Sequence, residues 1–203
     1  MISFCKKNLN YFKSKWLGCN PTHISVNGHI LNKQTKVSAV FFDRDNTLIL
    51  DNGYTWKVKD FFWLPGAPQA IKMLNDQGIY VFLVTNQAGV AKGKFKEHDV
   101  KKFHNHMENE LAKIGGHFDD IQYCPYHIDG TVTRYKKDSS YRKPKPGMIL
   151  HLLRKWKLNP SCCILFGDSQ TDIEAGLAAG VSSFQFKGGN LLEFVESHIN
   201  VES

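Results

Sequence analysis

The stretch VSAVFFDRDNTLI, residues 37–49, decides how this chain folds. Its first half is an almost continuous apolar run, which is typical of a strand buried on both faces of a sheet. Polar residues follow at once, and Asp43 and Asp45 are two positions apart. Because residues two apart in an extended segment share a face, both carboxylates can point at one reacting atom. One could then act as a nucleophile and the other as a general acid and base, although a polar turn is the ordinary alternative.

Strand and helix patterns alternate through the rest of the chain. Further strand patterns occupy residues 79–85, 118–125, 162–168 and 182–186. Helical patterns occupy residues 65–78, 96–116, 146–157, 169–180 and 190–199. This alternation predicts an α/β fold with a doubly wound parallel sheet, covered by helices on both faces in a Rossmann-like three-layer arrangement.

Composition narrows the class of protein. A chain of 203 residues suits one α/β domain, and no apolar run approaches the roughly 18 residues of a membrane span. The first residues lack the apolar core of a signal peptide, and the cysteines are odd in number, so a cytoplasmic location is expected. The formal charge of +7 favours either a solvated basic surface or a phosphate-bearing partner, nucleic acid or small molecule.

Polar residues concentrate where the predicted strands end. The second strand of 37–203 ends in TNQ (85–87), the fourth ends in GDSQTD (167–172), and Arg142 and Lys143 lie between them. In parallel sheets, ligands bind beyond the carboxyl ends of the strands. A hydroxyl and amides could hold phosphate oxygens, cations could neutralise an anion, and Asp168 could bind Mg²⁺. Each feature has a structural alternative, such as a turn or a helix cap, but their order along the chain favours a site.

These motifs together resemble the haloacid dehalogenase-like phosphohydrolases. The matching features are DxDxT at 43–47, Thr85, Lys143 and GDSQTD at 167–172, within residues 37–198. Inside that superfamily the chain resembles the histidinol-phosphatase and heptose-bisphosphate phosphatase group. Four segments are similar to the D-glycero-D-manno-heptose 1,7-bisphosphate 7-phosphatases: DNGY (51–54), TNQAGVAKGKF (85–95), YCPYH (123–127) and RKPKPGM (142–148). The short linker after the first motif implies an enzyme without a large cap domain.

The resemblance implies a covalent mechanism of phosphomonoester hydrolysis. Asp43 would attack phosphorus to form an aspartyl-phosphate. Asp45 would protonate the leaving alkoxide and then activate water. Thr85 and Asn86 would hold the phosphoryl oxygens, and Lys143 would stabilise the nucleophile and the transferring charge.

The resemblance also implies a Mg²⁺ site made by Asp43, the backbone carbonyl of Asp45, and Asp168. A divalent ion and a lysine would relieve the repulsion between a carboxylate and a phosphate dianion. Asn46 occupies a position where the family usually has glycine. If the backbone is left-handed there, asparagine is a tolerable replacement.

The implied substrate is a sugar bisphosphate, heptose 1,7-bisphosphate, from which the 7-phosphate would be removed. Asp51, Tyr54, Gln87, Lys92 and Arg142 would bind it, with Lys92 and Arg142 meeting the second phosphate. A polynucleotide 3′-phosphatase is the second interpretation, since those enzymes share the motifs and the charge suits a nucleic-acid backbone. Histidinol phosphate is a third candidate substrate. A binding protein on an inactive scaffold is disfavoured because every catalytic position is filled.

Residues 124–147 resemble a zinc loop of close relatives that has lost ligands. Cys124 matches, but Tyr126, Ser139 and Tyr141 stand where the other ligands would be, and His127 is one place late. Structural zinc takes four Cys or His ligands, so zinc is not expected here. Packing by Tyr126, Tyr135 and Tyr141 is expected to hold the loop instead. In the predicted helix 96–116, His98, His104 and His106 are expected on the surface.

The resemblance divides the chain into a phosphatase domain, residues 37–203, and an N-terminal extension, residues 1–36, without a counterpart in the compact relatives. Asn27-Gly28 lies between short apolar runs in the extension, which indicates a β-hairpin. Three roles remain open for the extension: adding strands to a sheet edge, pairing subunits, or marking the remnant of a fused partner.

Overall fold

The computed structural model describes residues 25–26, 29–30 and 36–199. The strands are β1 (Ser25–Val26), β2 (His29–Ile30), β3 (Ala39–Phe42), β4 (Tyr80–Asn86), β5 (Asp120–Cys124), β6 (Cys163–Gly167) and β7 (Ser182–Gln185). The helices are α1 (Ala67–Asp76), α2 (Glu97–Ala112), α3 (Gly147–Trp156), α4 (Gln170–Ala178) and α5 (Leu191–His198). The strands and helices predicted within 37–199 all occur, with ends that differ by a few residues.

The main sheet contains five strands in the order β5-β4-β3-β6-β7, and every neighbouring pair is parallel. β3 lies at the centre, between β4 and β6, so the residues that follow it emerge in the middle of the carboxyl edge. The predicted parallel sheet is therefore confirmed. The strand order reverses beside β3, and this is the place where open α/β sheets bind their ligands.

The sheet is covered on both faces, as the pleat of the strands requires. Val40 and Phe42 of β3 pack in a core with residues of α1, α2 and α5. Ala39 and Phe41 point to the opposite face and pack with residues of α3 and α4. All four side chains are fully buried. The alternation gives the three-layer α/β/α architecture predicted from the sequence.

The segment between β3 and α1 is compact. The backbone N–H groups of Leu48 and Ile49 both donate to the carbonyl of Arg44, which closes a tight turn directly after the strand. The remainder of the segment holds a short 3-10 turn at Val58–Asp60 and an isolated bridge between Ile49 and Trp63. Within the described residues the segment forms no cap domain, as expected.

The helix α2 differs from prediction at one residue. Its buried face includes Val100, Phe103, Met107 and also His104, which is only 3% exposed. The prediction that His104 lies on the surface is therefore wrong. Position 104 follows the 3.6-residue period of the buried face, and the imidazole packs against the ring of Tyr123 at 5.7 Å between centroids.

β1 and β2 form a separate antiparallel pair in which Ser25 is opposite Ile30. This pairing occurs where Asn27-Gly28 predicts a hairpin. The two turn residues themselves, and the rest of the extension up to residue 35, lie outside the described residues. In the described part of the chain, no helix combines the length and the apolar character needed to cross a bilayer.

Asn46 has the left-handed backbone that the sequence suggested, with φ of 54°. Its side-chain oxygen also accepts a hydrogen bond from the backbone N–H of Asp51 at 3.1 Å. Both Asn46→Gly and Asn46→Ala remove that hydrogen bond, but only alanine adds the clash of a Cβ in this conformation. We expect urea unfolding to show Asn46→Ala less stable than Asn46→Gly by about 1 kcal/mol. An alanine variant as stable as the glycine variant would contradict the left-handed conformation.

Candidate active site

A buried lysine lies at the centre of the carboxyl edge. Lys143 is 3% exposed, and its Nζ lies 2.6 Å from Oδ1 of Asp43 and 2.5 Å from Oδ1 of Asp172. The same ammonium group donates to the carbonyl oxygen of Val84 at 2.8 Å. Asp43 follows β3, Val84 belongs to β4 and Asp172 to α4. One side chain from the loop after β5 therefore joins three other elements of the fold.

Asn86 fixes the backbone that carries this lysine. Its side-chain Nδ2 donates to the carbonyl of Lys143 at 3.0 Å, and its Oδ1 accepts from the N–H of Lys143 at 3.1 Å. The reciprocal pair holds the loop at the end of β4. In this structure the Asn86 side chain therefore positions Lys143, a contact that the predicted role in phosphate binding did not include.

Burial and clustered charge shape the acidity of the site. Burial raises the pKa of Asp43 to about 7; the Lys143 ammonium opposes this rise, and the carboxylates of Asp172 and Asp45 add to it. Burial alone would lower the pKa of Lys143, but the carboxylates of Asp43 and Asp172 raise it, so the lysine stays charged. The site is an ion cluster with more negative than positive charge.

The excess negative charge suits a divalent cation. Asp43, Asp168 and Asp172 each offer a carboxylate oxygen, and these atoms lie within 4.8 Å of one another. Burial, with the nearby carboxylate of Asp172, raises the pKa of Asp168 above its ordinary value. Carboxylate oxygens are the ligands that Mg²⁺ prefers, so the donor set fits this ion. Among the described residues this is the one group of three or more His, Cys, Asp or Glu side chains with such a geometry.

Asp172 was not among the predicted site residues, although the spacing GDSQTD could have indicated it. It lies in the first turn of α4 as part of a capping box, in which its Oδ2 accepts from both the N–H and the hydroxyl of Ser169 at 3.1 and 2.6 Å. Its other oxygen faces Lys143. Helix capping and charge neutralisation are thus combined in one buried carboxylate.

Asp45 lies two residues after Asp43 and is partly exposed. Its Oδ1 is 2.8 Å from Nε of Arg44, and its Oδ2 accepts from Nε2 of Gln87 at 3.1 Å. The same amide nitrogen donates to the hydroxyl of Thr85 at 3.0 Å. Gln87, predicted to bind substrate, is buried at 3% exposure, and its amide nitrogen donates hydrogen bonds to Asp45 and Thr85 instead.

The other predicted substrate residues lie around this centre. Asp51 closes its own turn by accepting from the N–H of Thr55 at 2.7 Å. Tyr54 is 41% exposed, and Nζ of Lys92 lies 5.9 Å from the centre of its ring. Burial lowers the pKa of His127, and the positive charges of Arg142 and Lys92 lower it further, so both cations act on the same imidazole. Tyr54, Lys92 and Arg142 thus belong to one basic neighbourhood.

The loop 124–147 is held by tyrosines and a carboxylate. Tyr123 and Tyr135 donate their hydroxyls to the two oxygens of Glu97 at 2.7 and 2.6 Å. The ring of Tyr135 packs against Tyr126 at 5.9 Å, and Nζ of Lys137 lies 3.9 Å above Tyr126. The aromatic packing expected of Tyr126 and Tyr135 is present.

Tyr141 contributes on the opposite side of this loop, where its hydroxyl lies 3.1 Å from Nδ1 of His151 in α3. Cys124 is buried, and burial raises the pKa of its thiol, while hydrogen bonds between the thiol and both the Tyr126 backbone and the Ser139 side chain oppose the rise. The prediction that the loop binds no zinc stays a prediction, and these contacts support it.

Comparison with known proteins identifies the family. A model of the haloacid dehalogenase-like hydrolases matches residues 60–180. The D-glycero-beta-D-manno-heptose-1,7-bisphosphate 7-phosphatase of Rhodopseudomonas palustris is 41% identical over 158 residues, covering 78% of this chain and 88% of that protein. The D-glycero-alpha-D-manno-heptose-1,7-bisphosphate 7-phosphatase of Burkholderia mallei is 35% identical over 148 residues, covering 73% and 78%.

The chain belongs to the haloacid dehalogenase-like hydrolase family. Among solved structures, the D,D-heptose 1,7-bisphosphate phosphatase of B. bronchiseptica, complexed with magnesium and phosphate, superposes with a TM-score of 0.69. It is 27% identical and covers 82% of this chain and 89% of its own. The resemblance seen in the motifs is confirmed, and the protein is a haloacid dehalogenase-like phosphatase.

We expect Mg²⁺ to stabilise this phosphatase much more at pH 8 than at pH 5. The pKa of Asp43, raised by burial to about 7, means that the carboxyl is protonated at pH 5 and ionised at pH 8. Protons therefore compete with the metal at the lower pH and weaken its binding by about 100-fold. The measurement is the unfolding temperature with and without Mg²⁺ at each pH. The variant Asp168→Asn should reduce the increase that Mg²⁺ causes. If Mg²⁺ raised the unfolding temperature equally at both pH values, Asp43 would not be a ligand of the ion.

We expect elemental analysis of protein purified without chelator to find no zinc. Cys124→Ser should change the unfolding temperature equally with and without chelator, whereas Tyr135→Phe should lower the free energy of unfolding by about 1.5–3 kcal/mol, because it loses a hydrogen bond to a carboxylate. One zinc per chain, lost together with stability in Cys124→Ser, would show that the loop is a metal site.

Proposed function

We propose that this phosphatase hydrolyses a sugar phosphate through an aspartyl-phosphate on Asp43. The observation that carries the proposal is the contact between Asp43 and Lys143, at 2.6 Å, beside Asp168 and Asp172. A carboxylate that attacks a phosphate dianion must overcome like-charge repulsion. A fixed ammonium group supplies compensating charge without reorganisation during the reaction.

Asp45 is the general acid and base of the proposal. Its carboxyl shares the carboxyl edge of β3 with Asp43 and remains partly exposed, with Arg44 and Gln87 on its two oxygens. In the first step Asp45 gives a proton to the leaving alkoxide while Asp43 forms a bond to phosphorus. In the second step the Asp45 carboxylate takes a proton from the water that attacks the aspartyl-phosphate.

Asp43 and Asp168, with the backbone carbonyl of Asp45, are proposed to hold Mg²⁺, and Asp172 adds charge beside them. When bound, the ion supplies positive charge that neutralises the carboxylates and the phosphoryl oxygens. Thr85 and Asn86 are proposed to line the phosphoryl position. Thr85 is fully buried near the end of β4, and the side-chain amide of Gln87 donates to both Thr85 and Asp45.

The proposed substrate is D-glycero-D-manno-heptose 1,7-bisphosphate, with hydrolysis at the 7-phosphate. The names of the relatives above support this choice, because they include phosphatases for both anomers of that sugar. The basic neighbourhood of Lys92 and Arg142 offers two cations for the second phosphate. We also propose that residues 37–203 form the phosphatase domain and that the protein is cytoplasmic.

A panel of substrates tests the proposal. With Mg²⁺ present, the two anomers of heptose 1,7-bisphosphate, histidinol phosphate and a 3′-phosphorylated oligonucleotide are compared by kcat/KM for phosphate release. We expect a heptose bisphosphate to be preferred at least about tenfold, a difference in barrier of about 1.4 kcal/mol. Preference for the oligonucleotide would contradict the substrate and support a polynucleotide 3′-phosphatase.

The matched control in this panel is Asp43→Asn, which keeps the volume of the side chain but removes the nucleophile. We expect it to fold and to lose turnover by far more than tenfold on every substrate. Turnover within tenfold of the unmodified enzyme would rule out the covalent mechanism, since the loss of a nucleophile costs far more than about 1.4 kcal/mol.

A further inference from the structure

Arg44, between the two aspartates of the first motif, is one of the largest fully buried side chains among the described residues. It is 1% exposed, although a guanidinium group is costly to remove from water. Three contacts compensate part of this cost: Nε with Oδ1 of Asp45 at 2.8 Å, Nη2 with the carbonyl of Thr55 at 2.9 Å, and the ring of Phe103 at 4.9 Å from Cζ. The third nitrogen, Nη1, is buried without a hydrogen-bond partner among the described residues. The two hydrogen bonds and the ring contact hold the guanidinium group of Arg44 in one orientation.

The orientation of Arg44 fixes that of Asp45. Each oxygen of the Asp45 carboxyl has a different donor, Nε of Arg44 on Oδ1 and Nε2 of Gln87 on Oδ2. Gln87 is itself anchored on Thr85 of β4, while Arg44 is anchored on Thr55. The carboxyl is thereby held from two sides, and rotation about its side-chain bonds would break a hydrogen bond on each.

Arg44 also joins Asp45 to the turn that carries Asp51 and Tyr54. This turn is closed by its own hydrogen bonds, from the N–H of Thr55 to Asp51 at 2.7 Å and from the N–H of Asn52 to the hydroxyl of Thr55 at 3.3 Å. The carbonyl of Thr55 then accepts from Arg44. One side chain therefore contacts both the acid and base residue and the segment proposed to contact the sugar.

We propose that Arg44 is a positioning residue that aims the carboxyl of Asp45 at the leaving-group oxygen and holds it in register with the 51–55 turn. The inference rests on the proposed function. The step it affects is the transfer of the Asp45 proton to the leaving oxygen as the bond between phosphorus and that oxygen breaks. General acid catalysis depends on hydrogen-bond reach to the accepting atom, so a misdirected carboxyl loses most of its effect.

Lysine cannot replace arginine in this arrangement. The planar guanidinium group donates to Asp45 and to Thr55 from two nitrogens fixed by one plane, whereas an ammonium group is a single point charge on a flexible stem. Arg44→Lys should therefore keep the charge beside Asp45 and still lose its orientation. We expect it to behave like Arg44→Met.

The experiment uses two substrates that differ in their need for a proton. Hydrolysis of a heptose bisphosphate releases a sugar alkoxide, which requires a proton from Asp45. Hydrolysis of p-nitrophenyl phosphate releases a phenolate, which leaves without protonation. First-turnover release of each leaving group is measured by rapid mixing for the unmodified enzyme, Arg44→Met and Arg44→Lys. Arg154→Met, at an exposed arginine of α3, is the matched control and should match the unmodified enzyme.

Both Arg44 variants should slow first-turnover release of the sugar at least about tenfold and that of the phenolate less than about threefold. Equal loss on both substrates, or no loss on either, would overturn the inference. Lack of turnover by the unmodified enzyme on both would instead overturn the proposed function. If the Arg44 variants do not fold, Gln87→Met decides, because it removes the other donor to Asp45 and should give the same difference between substrates.

Discussion

The ammonium group of Lys143 lies between the carboxylates of Asp43 and Asp172 in the interior of the protein, and it also donates to the backbone of β4. Two ionised carboxylates whose oxygens lie within 4.8 Å of each other could not remain buried without a cation. Their mutual repulsion and their loss of hydration would raise their pKa values until they bound protons. Removing one partner of a buried ion pair typically costs about 3–5 kcal/mol. The contact between Lys143 and Asp43, the proposed nucleophile, is therefore also a contact on which the fold depends.

The position of Lys143 depends in turn on the loop that carries it. Asn86 forms hydrogen bonds with both the N–H and the carbonyl of Lys143, and earlier in the loop the Tyr135 hydroxyl donates to Glu97 at the start of α2. A carboxylate that accepts from two tyrosines fixes two elements at one point, which is the geometric task of a structural metal in such a loop. Hydrogen bonds of this kind to a charged group contribute about 1.5–3 kcal/mol each. Stability and catalysis are thus linked through the same segment.

Much of the fold follows from the sequence because its signals are local. Apolar strands alternate with amphipathic helices, and polar residues at the strand ends indicated that Asp43, Asp45 and Asp168 lie together. The structure brings Asp43 and Asp168 into one cluster, with Lys143 from the loop after β5 in contact with Asp43. The remaining features depend on tertiary placement. His104 follows the helical period, but its polarity suggested a surface position. Gln87 was predicted to bind substrate, and its contact with Asp45 arises only because β3 and β4 lie side by side.

The central claim is that Asp43, compensated by Lys143, carries the phosphoryl group during turnover. Rapid acid quench during the first turnover, with substrate labelled at the hydrolysed phosphate, tests it most directly, because an acyl phosphate survives acid long enough for peptide mapping. The account predicts label on the peptide that contains Asp43. It predicts a larger amount in Asp45→Asn when the substrate is p-nitrophenyl phosphate, because the phenolate leaves without a proton whereas water is not activated. Full turnover without labelled protein, or label on a different residue, would contradict it.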